Sequence, residues 1–171
     1  MKKYELTAEF IEKWGKKLFR IKALISFGSV EAGELGGYIE KEDNLAHDSN
    51  AWVSGNAEVY GDARVSGDAR VYGDARVCGD ARVCDDADYL LIGRIGSRFS
   101  FTTFFKNKDK GITVSCGCFL GTIAEFRAKV TDTHGNNKHA KMYNLAADMA
   151  ELQILGEEHF DKLNTNKSEP F

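Results

Sequence analysis

The sequence contains little of what marks secreted, membrane or nucleic-acid-binding proteins. It has one proline and four cysteines among 171 residues. Cys78 and Cys84 stand one repeat unit apart, and Cys116 and Cys118 share a predicted strand, so their spacing does not indicate a disulfide framework. The net charge of −3 lacks the basic excess that a nucleic-acid polymer requires. No apolar run has the length of a membrane span, and the N-terminus lacks the apolar stretch of a signal peptide. We therefore expect a cytoplasmic protein with neither a membrane nor a nucleic-acid partner.

The sequence also lacks the residue patterns that hold metals or cofactors. Its CGC pair has one intervening residue, which is not the usual zinc-ligand spacing, and no second pair completes a site. The chain has 4 histidines, and none lies between Asn50 and Leu91. We therefore predict no metal and no cofactor.

What the sequence does contain is a six-residue repeat from Asn50 to Leu91. Its units read NAWVSG, NAEVYG, DARVSG, DARVYG, DARVCG, DARVCD and DADYLL. Side chains alternate along a strand, which places Ala and Val on one inward side and the arginines outward. The Gly-Asp and Gly-Asn pairs suit turns. Self-similarity at a short fixed period is typical of a solenoid whose units bury their apolar faces against their neighbours.

This repeat resembles that of hexapeptide-repeat proteins, in which three hexads form one coil of a left-handed parallel β-helix. The resemblance implies a mainly β fold class. We expect a short left-handed parallel β-helix, or hexapeptide-repeat solenoid, with a β-rich N-terminal cap and a C-terminal α+β domain. The expected boundaries are 1–43 for the cap, 44–91 for the solenoid, 92–157 for the C-terminal domain and 158–171 for a flexible tail.

If three hexads form one coil, two further expectations follow. Arg64 and Arg82 should lie on the same face, one coil apart. Seven hexads make little more than two coils, which is short for a solenoid on its own. Hexapeptide-repeat proteins are usually trimers, so the resemblance implies a homotrimer.

Outside the repeat, strands are predicted where β-branched and aromatic residues run between turn residues. They are two strands that meet around Trp14 and three strands at 89–95, 99–105 and 112–116.

Two helices are predicted toward the C-terminus. The first begins at a capping box formed by Thr122 and Glu125, and it stops near Gly135. The second runs over 137–155, and Gly156 ends it.

The candidate binding residues lie in this C-terminal segment. The stretch IGSRFSFTTFF sets an arginine among small hydroxyl residues, and VSCGCFLGTIAEF leads a strand through two glycines into a helix. Helix N-termini and arginine both suit phosphate or carboxylate, although the Lys-Ser/Thr pair of a P-loop is absent. The phenylalanines nearby are aromatic enough to sandwich a base, and they also suit a core. The predicted ligand-binding residues are Ser97, Arg98, Thr102, Thr103, Gly117, Gly121 and Thr122.

No catalytic residue is assigned from the sequence. Hexapeptide-repeat acyltransferases typically use a histidine near their coils, and this repeat has none. His47 and His134 stay open as bases of an acyl-CoA-dependent transferase whose acceptor site forms between subunits. The sequence favours a structural role for each, at a cap or a loop.

The layout as a whole is similar to small proteins encoded by bacteriophages and prophages. The similarity lies in the KYELT opening, the LGGYIEKEDNL lead, the DARV units and the IGSR, CGCF and THGNN stretches. It implies the cytoplasm of a host bacterium. We interpret the chain as a non-enzymatic protein that sequesters a small anionic ligand, such as a nucleotide signal in host defence. An acyltransferase and a structural trimer that blocks another protein are the alternatives.

Overall fold

The computed structural model describes residues 1–165, and the chain divides into two compact units that meet at Asp88 and Tyr89. The first unit holds nine strands and two short 3₁₀ turns, Glu42–Asn44 and Asp86–Asp88. Its strands are β1 (Tyr4–Lys13), β2 (Lys16–Ala23), β3 (Leu35–Ile39), β4 (Trp52–Val53), β5 (Glu58–Val59), β6 (Arg64–Val65), β7 (Arg70–Val71), β8 (Arg76–Val77) and β9 (Arg82–Val83). The two strands predicted to meet around Trp14 are confirmed as β1 and β2.

The strands of the first unit form three small sheets. A five-stranded sheet has the order β1-β2-β3-β5-β8, in which β1, β2 and β3 are antiparallel neighbours while β5 and β8 join in parallel. Strands β4 and β7 form one two-stranded parallel sheet, and β6 and β9 form another. Arg64 is the register partner of Arg82, which confirms the expected pairing of these two residues.

The predicted fold class is wrong. Each repeat strand has only two residues, and the repeat strands are divided among three separate sheets, one of which continues into the antiparallel strands β2 and β1. Within residues 1–165 these short strands do not join into a solenoid sheet, so the left-handed parallel β-helix is not the architecture. The physical reason is the small number of hexads, because each repeat strand finds only one other repeat strand to pair with. The protein is instead a mixed α/β chain with small mixed and antiparallel sheets.

The alanine and valine side chains of the repeat point inward, as the alternation predicts. They are fully buried and fill a narrow core between the short strands. These residues are Ala51, Val53, Ala57, Val59, Ala63, Val65, Ala69, Val71, Ala75, Val77, Ala81 and Val83.

The second unit begins at Tyr89 and combines an antiparallel sheet with helices. The elements of this unit are β10 (Tyr89–Ile95), β11 (Ser100–Lys106), β12 (Ile112–Cys116), β13 (Phe119–Thr122), α1 (Ile123–His134), α2 (Lys138–Leu155) and α3 (Glu157–Thr165). The four strands form the sheet in the order β10-β11-β12-β13. The strands and the first two helices predicted from the sequence are confirmed. Of the predicted flexible tail, residues 158–165 belong to α3, and residues 166–171 lie outside the described part of the chain.

Helices α1 and α2 pack on the sheet through a shared apolar cluster, and an ion-pair network joins the two helices to each other. Phe104, Val114, Phe126 and Ala147 belong to the cluster. The guanidinium of Arg127 on α1 reaches α2, where Nη2 lies 2.7 Å from Asp148 Oδ1 and 2.8 Å from Glu151 Oε2.

Candidate functional site

The second unit contains a cavity of about 200 Å³. Its walls come from the turn between β10 and β11, the start of β11, the β12–β13 turn, and one side each of α1 and α2. The lining combines positively charged side chains, an imidazole, hydroxyl groups and aromatic rings. Among the described residues it includes no carboxylate. It consists of Ser97, Arg98, Ser100, Cys116, Gly117, Phe119, Phe126, Lys129, Val130, Thr133, His134 and Tyr143.

Two glycines in the adjoining turns have backbone conformations that favour glycine, and one of them also makes room for a lining residue. Gly96 has a φ of +75°, and a Cβ there would overlap the hydroxyl of Tyr143. Gly117 has a φ of +59°, and Arg98 Nη1 lies 3.8 Å from where its Cβ would stand. Both positions therefore require glycine for its backbone conformation, and at Gly96 also for the space it leaves.

The aromatic side of the cavity is built around Phe126. The ring centroid of Phe126 lies 5.7 Å from that of Phe119 and 5.6 Å from that of Tyr143, with an angle of 89° between the planes of Phe126 and Tyr143. The imidazole of His134 stacks on Tyr143 at 5.8 Å and 26°. These edge-to-face and stacked contacts hold the rings in place, as aromatic pairs generally do. The result is a rigid apolar wall beside the polar mouth.

Arg98 supplies an unengaged positive charge at this site. It lies in the turn between β10 and β11 and is exposed. Within residues 1–165 its guanidinium has no hydrogen-bond or ion-pair partner, whereas the Lys129 ammonium lies 3.6 Å from Asp132 Oδ2. An arginine can bind a phosphate or carboxylate with two parallel hydrogen bonds. Arg98 is therefore the cation of the cavity that is most available to an anion.

The floor of the cavity holds a thiol among hydroxyls. The hydroxyl of Thr102 donates to Cys116 Sγ at 3.2 Å. Burial raises the pKa of Tyr143, the neighbouring Cys116 sulfur raises it further, and the positive charge of Arg98 opposes this. The Tyr143 hydroxyl therefore stays protonated at neutral pH and can donate a hydrogen bond.

Three of the seven predicted binding residues, Ser97, Arg98 and Gly117, line this cavity. Thr102 and Thr103 are buried within β11. A Cβ on Gly121 would stand 2.9 Å from both the Phe119 ring and the Glu125 carboxylate, so this glycine sits beneath those two side chains.

Thr122, the remaining predicted residue, caps α1. Its Oγ1 accepts from the Glu125 N–H at 3.2 Å, and Glu125 Oε2 accepts from the Thr122 N–H at 2.8 Å. The chain's own carboxylate therefore occupies the helix N-terminus that the sequence offered to an anion.

Apart from His134, the residues that α1 and α2 contribute to the cavity were not among the site residues considered from the sequence. On α1 they occur at helical spacing, i, i+3, i+4, i+7 and i+8, which marks one face of a helix. That spacing was the available signal for the set Phe126, Lys129, Val130, Thr133 and His134. No local pattern pointed to Tyr143.

The two histidines considered as bases lie in different units. His47, in the first unit, accepts a hydrogen bond on Nδ1 from the Lys3 backbone N–H at 3.3 Å, and its ring stacks on Tyr4 at 4.2 Å. Burial lowers the pKa of His47. Its contacts are those of a packed, neutral side chain. His134 is the one of the two that faces the cavity.

Neither the protein-family models nor the curated proteins compared with this sequence include a match. Among residues 1–165, His, Cys, Asp and Glu side chains form no group of three or more that could hold a metal ion. No helix of that part of the chain is long and apolar enough to cross a membrane. The four cysteines are free thiols.

Proposed function

We propose that this protein binds a small anion that carries an aromatic ring, without catalysing a reaction, and that the cavity beside Arg98 is its site. The observation that carries the proposal is the Arg98 guanidinium at the mouth of a cavity with an aromatic wall. Among residues 1–165 neither a partner for this guanidinium nor a carboxylate in the lining is found. An anionic group would bind Arg98, and a ring would pack against Phe126 and Tyr143.

The size of the cavity restricts the ligand. Pockets for drug-sized ligands hold about 300–1,000 Å³, and this one holds about 200 Å³. One ring fits inside while the charged group stays at the mouth, so a mononucleotide suits the site better than a dinucleotide. The hydroxyls of Ser97, Ser100 and Thr133 would orient the polar edge of such a ligand.

The biological role is proposed from the resemblance to bacteriophage and prophage proteins. In the cytoplasm of an infected bacterium, a binder of this kind would hold a nucleotide signal of the host defence out of circulation. Sequestration requires stoichiometric, pre-organised sites and no chemistry. The rigid aromatic wall of this cavity is consistent with such pre-organisation.

Native mass spectrometry of gently purified protein, followed by calorimetry with AMP and with inorganic phosphate, tests the proposal. We expect AMP to bind, and Arg98→Ala to weaken its binding about tenfold or more, because a hydrogen bond to a charged group contributes about 1.5–3 kcal/mol. The matched control is Arg94→Ala, an exposed arginine of β10 that does not line the cavity. Equal affinities for the two variants would place the site elsewhere.

The same samples distinguish the alternatives. Turnover of acetyl-CoA that is lost in His134→Ala would establish a transferase in place of a binder. A protein that neither retains nor binds a small anion would contradict the proposal and favour a protein-blocking role.

A further inference from the structure

Helix α2 exposes an apolar stripe along its outer side. Met142, Leu145, Met149 and Leu152 are 36%, 64%, 56% and 45% exposed. The opposite side of the helix is buried in the core of the second unit, through Ala140, Tyr143, Ala146, Ala147, Ala150 and Ile154. We call the four exposed residues the α2 seam. A surface helix normally carries polar residues on its outer side, so the seam requires an explanation.

The spacing of the seam is that of a coiled coil. Its members stand at i, i+3, i+7 and i+10, which are successive a and d positions of a heptad. Helical contacts within one globular core follow a broader stripe, whereas a strict a/d stripe is the pattern of two helices that pair lengthwise. The seam is therefore suited to another helix of similar pattern.

We propose that the α2 seam pairs, antiparallel, with the α2 seam of a second copy of this chain, which gives a dimer in place of the homotrimer that the resemblance implies. The seam is symmetric about position 147, so a two-fold axis there sets Met142 opposite Leu152 and Leu145 opposite Met149. Every cross-pair then joins a methionine with a leucine. This self-complementarity is what a two-fold interface requires.

The charges at the two ends of α2 favour the same orientation. Lys138 and Lys141 are exposed in its first turn, and Glu157 and Glu158 are exposed two and three residues after its last residue, at the start of α3. An antiparallel pair brings the lysines of one copy toward the glutamates of the other. A parallel pair would set lysine beside lysine and glutamate beside glutamate, which is unfavourable.

The small size of the seam indicates how tightly the two copies should bind each other. Helix α2 has 18 residues, which makes it about 27 Å long. Four apolar side chains per copy are far fewer than the about 20–30 residues a side of a standard interface. We therefore expect a dimer that dissociates in the micromolar range.

Sedimentation velocity of the full chain, from about 1 μM to about 1 mM, tests this pairing. The wild type should shift from monomer to dimer across that range, and Leu145→Glu should stay monomeric. The matched control is Leu120→Glu, since Leu120 is also about half exposed, at 51%, but belongs to β13. Circular dichroism would check that both variants keep their helices. A wild type that stays monomeric, a trimer, or equal behaviour of the two variants would overturn the proposal.

A charge exchange tests the orientation separately. Lys138→Glu should weaken the dimer, because like charges then meet at both ends of an antiparallel pair. Adding Glu157→Lys to the same chain should restore association, because unlike charges meet again at both ends. In a parallel pair neither change would replace like charges by unlike ones, so a double variant that associates no better than Lys138→Glu alone means that the antiparallel arrangement is wrong.

Discussion

Glu58 of β5 is the register partner of Arg76 of β8, and its Oε2 lies 3.6 Å from the Arg76 Nε. Glu58 is only 4% exposed, and its Oε1 also accepts a hydrogen bond from Lys13 Nζ. The four DARV units carry arginine at the equivalent place. This departure from the repeat therefore has a structural reason, because it provides a buried carboxylate for two cations.

Replacing Glu58 by arginine makes the repeat more regular and should nevertheless destabilise the protein. The new side chain would stand opposite Arg76 and beside Lys13, with no carboxylate between them. We expect the free energy of unfolding to fall by about 3 kcal/mol, the cost of removing one partner of a buried ion pair. Urea unfolding measures the change.

The matched control is Arg64→Glu, which is exposed and faces Arg82 across β6 and β9. It sets unlike charges opposite each other, so the change in stability should stay within about 1 kcal/mol. Equal unfolding midpoints for Glu58→Arg and the wild type would show that the Glu58 pair does not stabilise the fold.

Two glycines that are equivalent in the repeat should respond differently to alanine. Gly67 and Gly79 both close a hexad and have φ values of +61° and +65°. A Cβ at Gly67 would overlap the Cys84 carbonyl oxygen, while a Cβ at Gly79 meets nothing within 4 Å. Gly79→Ala should cost about 1–2 kcal/mol, from the left-handed backbone alone.

Gly67→Ala should cost at least about 2 kcal/mol more, because the backbone near Cys84 must also move. Thermal or urea unfolding of the two variants measures the difference. Equal losses of stability would mean that the chain at Cys84 moves aside without cost.

Local signals in the sequence were sufficient for three strands and two helices of the second unit, although β13 and α3 were not predicted. The Thr122 and Glu125 capping box and the glycines after α1 and α2 act within one turn of the chain, so they could be read without knowing the fold. The architecture of the first unit could not be predicted in this way. It depends on which strands pair over long sequence separations, and the antiparallel strands β1 and β2 extend the sheet that contains β5 and β8.

The candidate site, too, could be predicted from the sequence only in part. Ser97 and Arg98 stand beside a strand end, where a turn with polar residues indicates a binding loop. Lys129, His134 and Tyr143 join them only because α1 and α2 pack against the sheet. Tertiary packing brings these side chains together, and no pattern along the chain encodes their distance.

The stability of the first unit should rise with pH because of Lys3. Its ammonium is buried, donates to the carbonyl oxygens of Ser49 and Ala51 at 2.7 Å each, and lies 4.6 Å from the Phe27 ring centroid. Burial lowers the pKa of Lys3 from 10.5 to about 8. Above pH 8 the folded chain releases this proton while the unfolded chain still holds it, so raising the pH favours the folded state.

From pH 8 to pH 10 we expect Lys3 to contribute about 2 kcal/mol of added stability, at up to about 1.4 kcal/mol per pH unit. Burial raises the pKa values of Cys78 and Tyr4, and both shifts oppose the trend as the unfolded chain loses these protons, so the measurement stops at pH 10 and compares variants. Urea unfolding at each pH should show the wild type and Lys2→Met gaining stability relative to Lys3→Met. Parallel curves for all three proteins would contradict the assignment to Lys3.

The capping role of Thr122 can be separated from a role in ligand binding. Thr122→Ala removes the acceptor for the Glu125 N–H, and such a loss at a helix N-cap costs about 1 kcal/mol. Glu125→Ala removes the reciprocal bond. Because the two side chains act on each other, the double variant should lose less stability than the two single losses added together. Urea unfolding of the four proteins gives this coupling, and calorimetry with AMP should show unchanged affinity in each. A Thr122→Ala protein that folds but binds AMP more weakly would place the α1 N-terminus within the ligand site, in addition to the cavity beside Arg98.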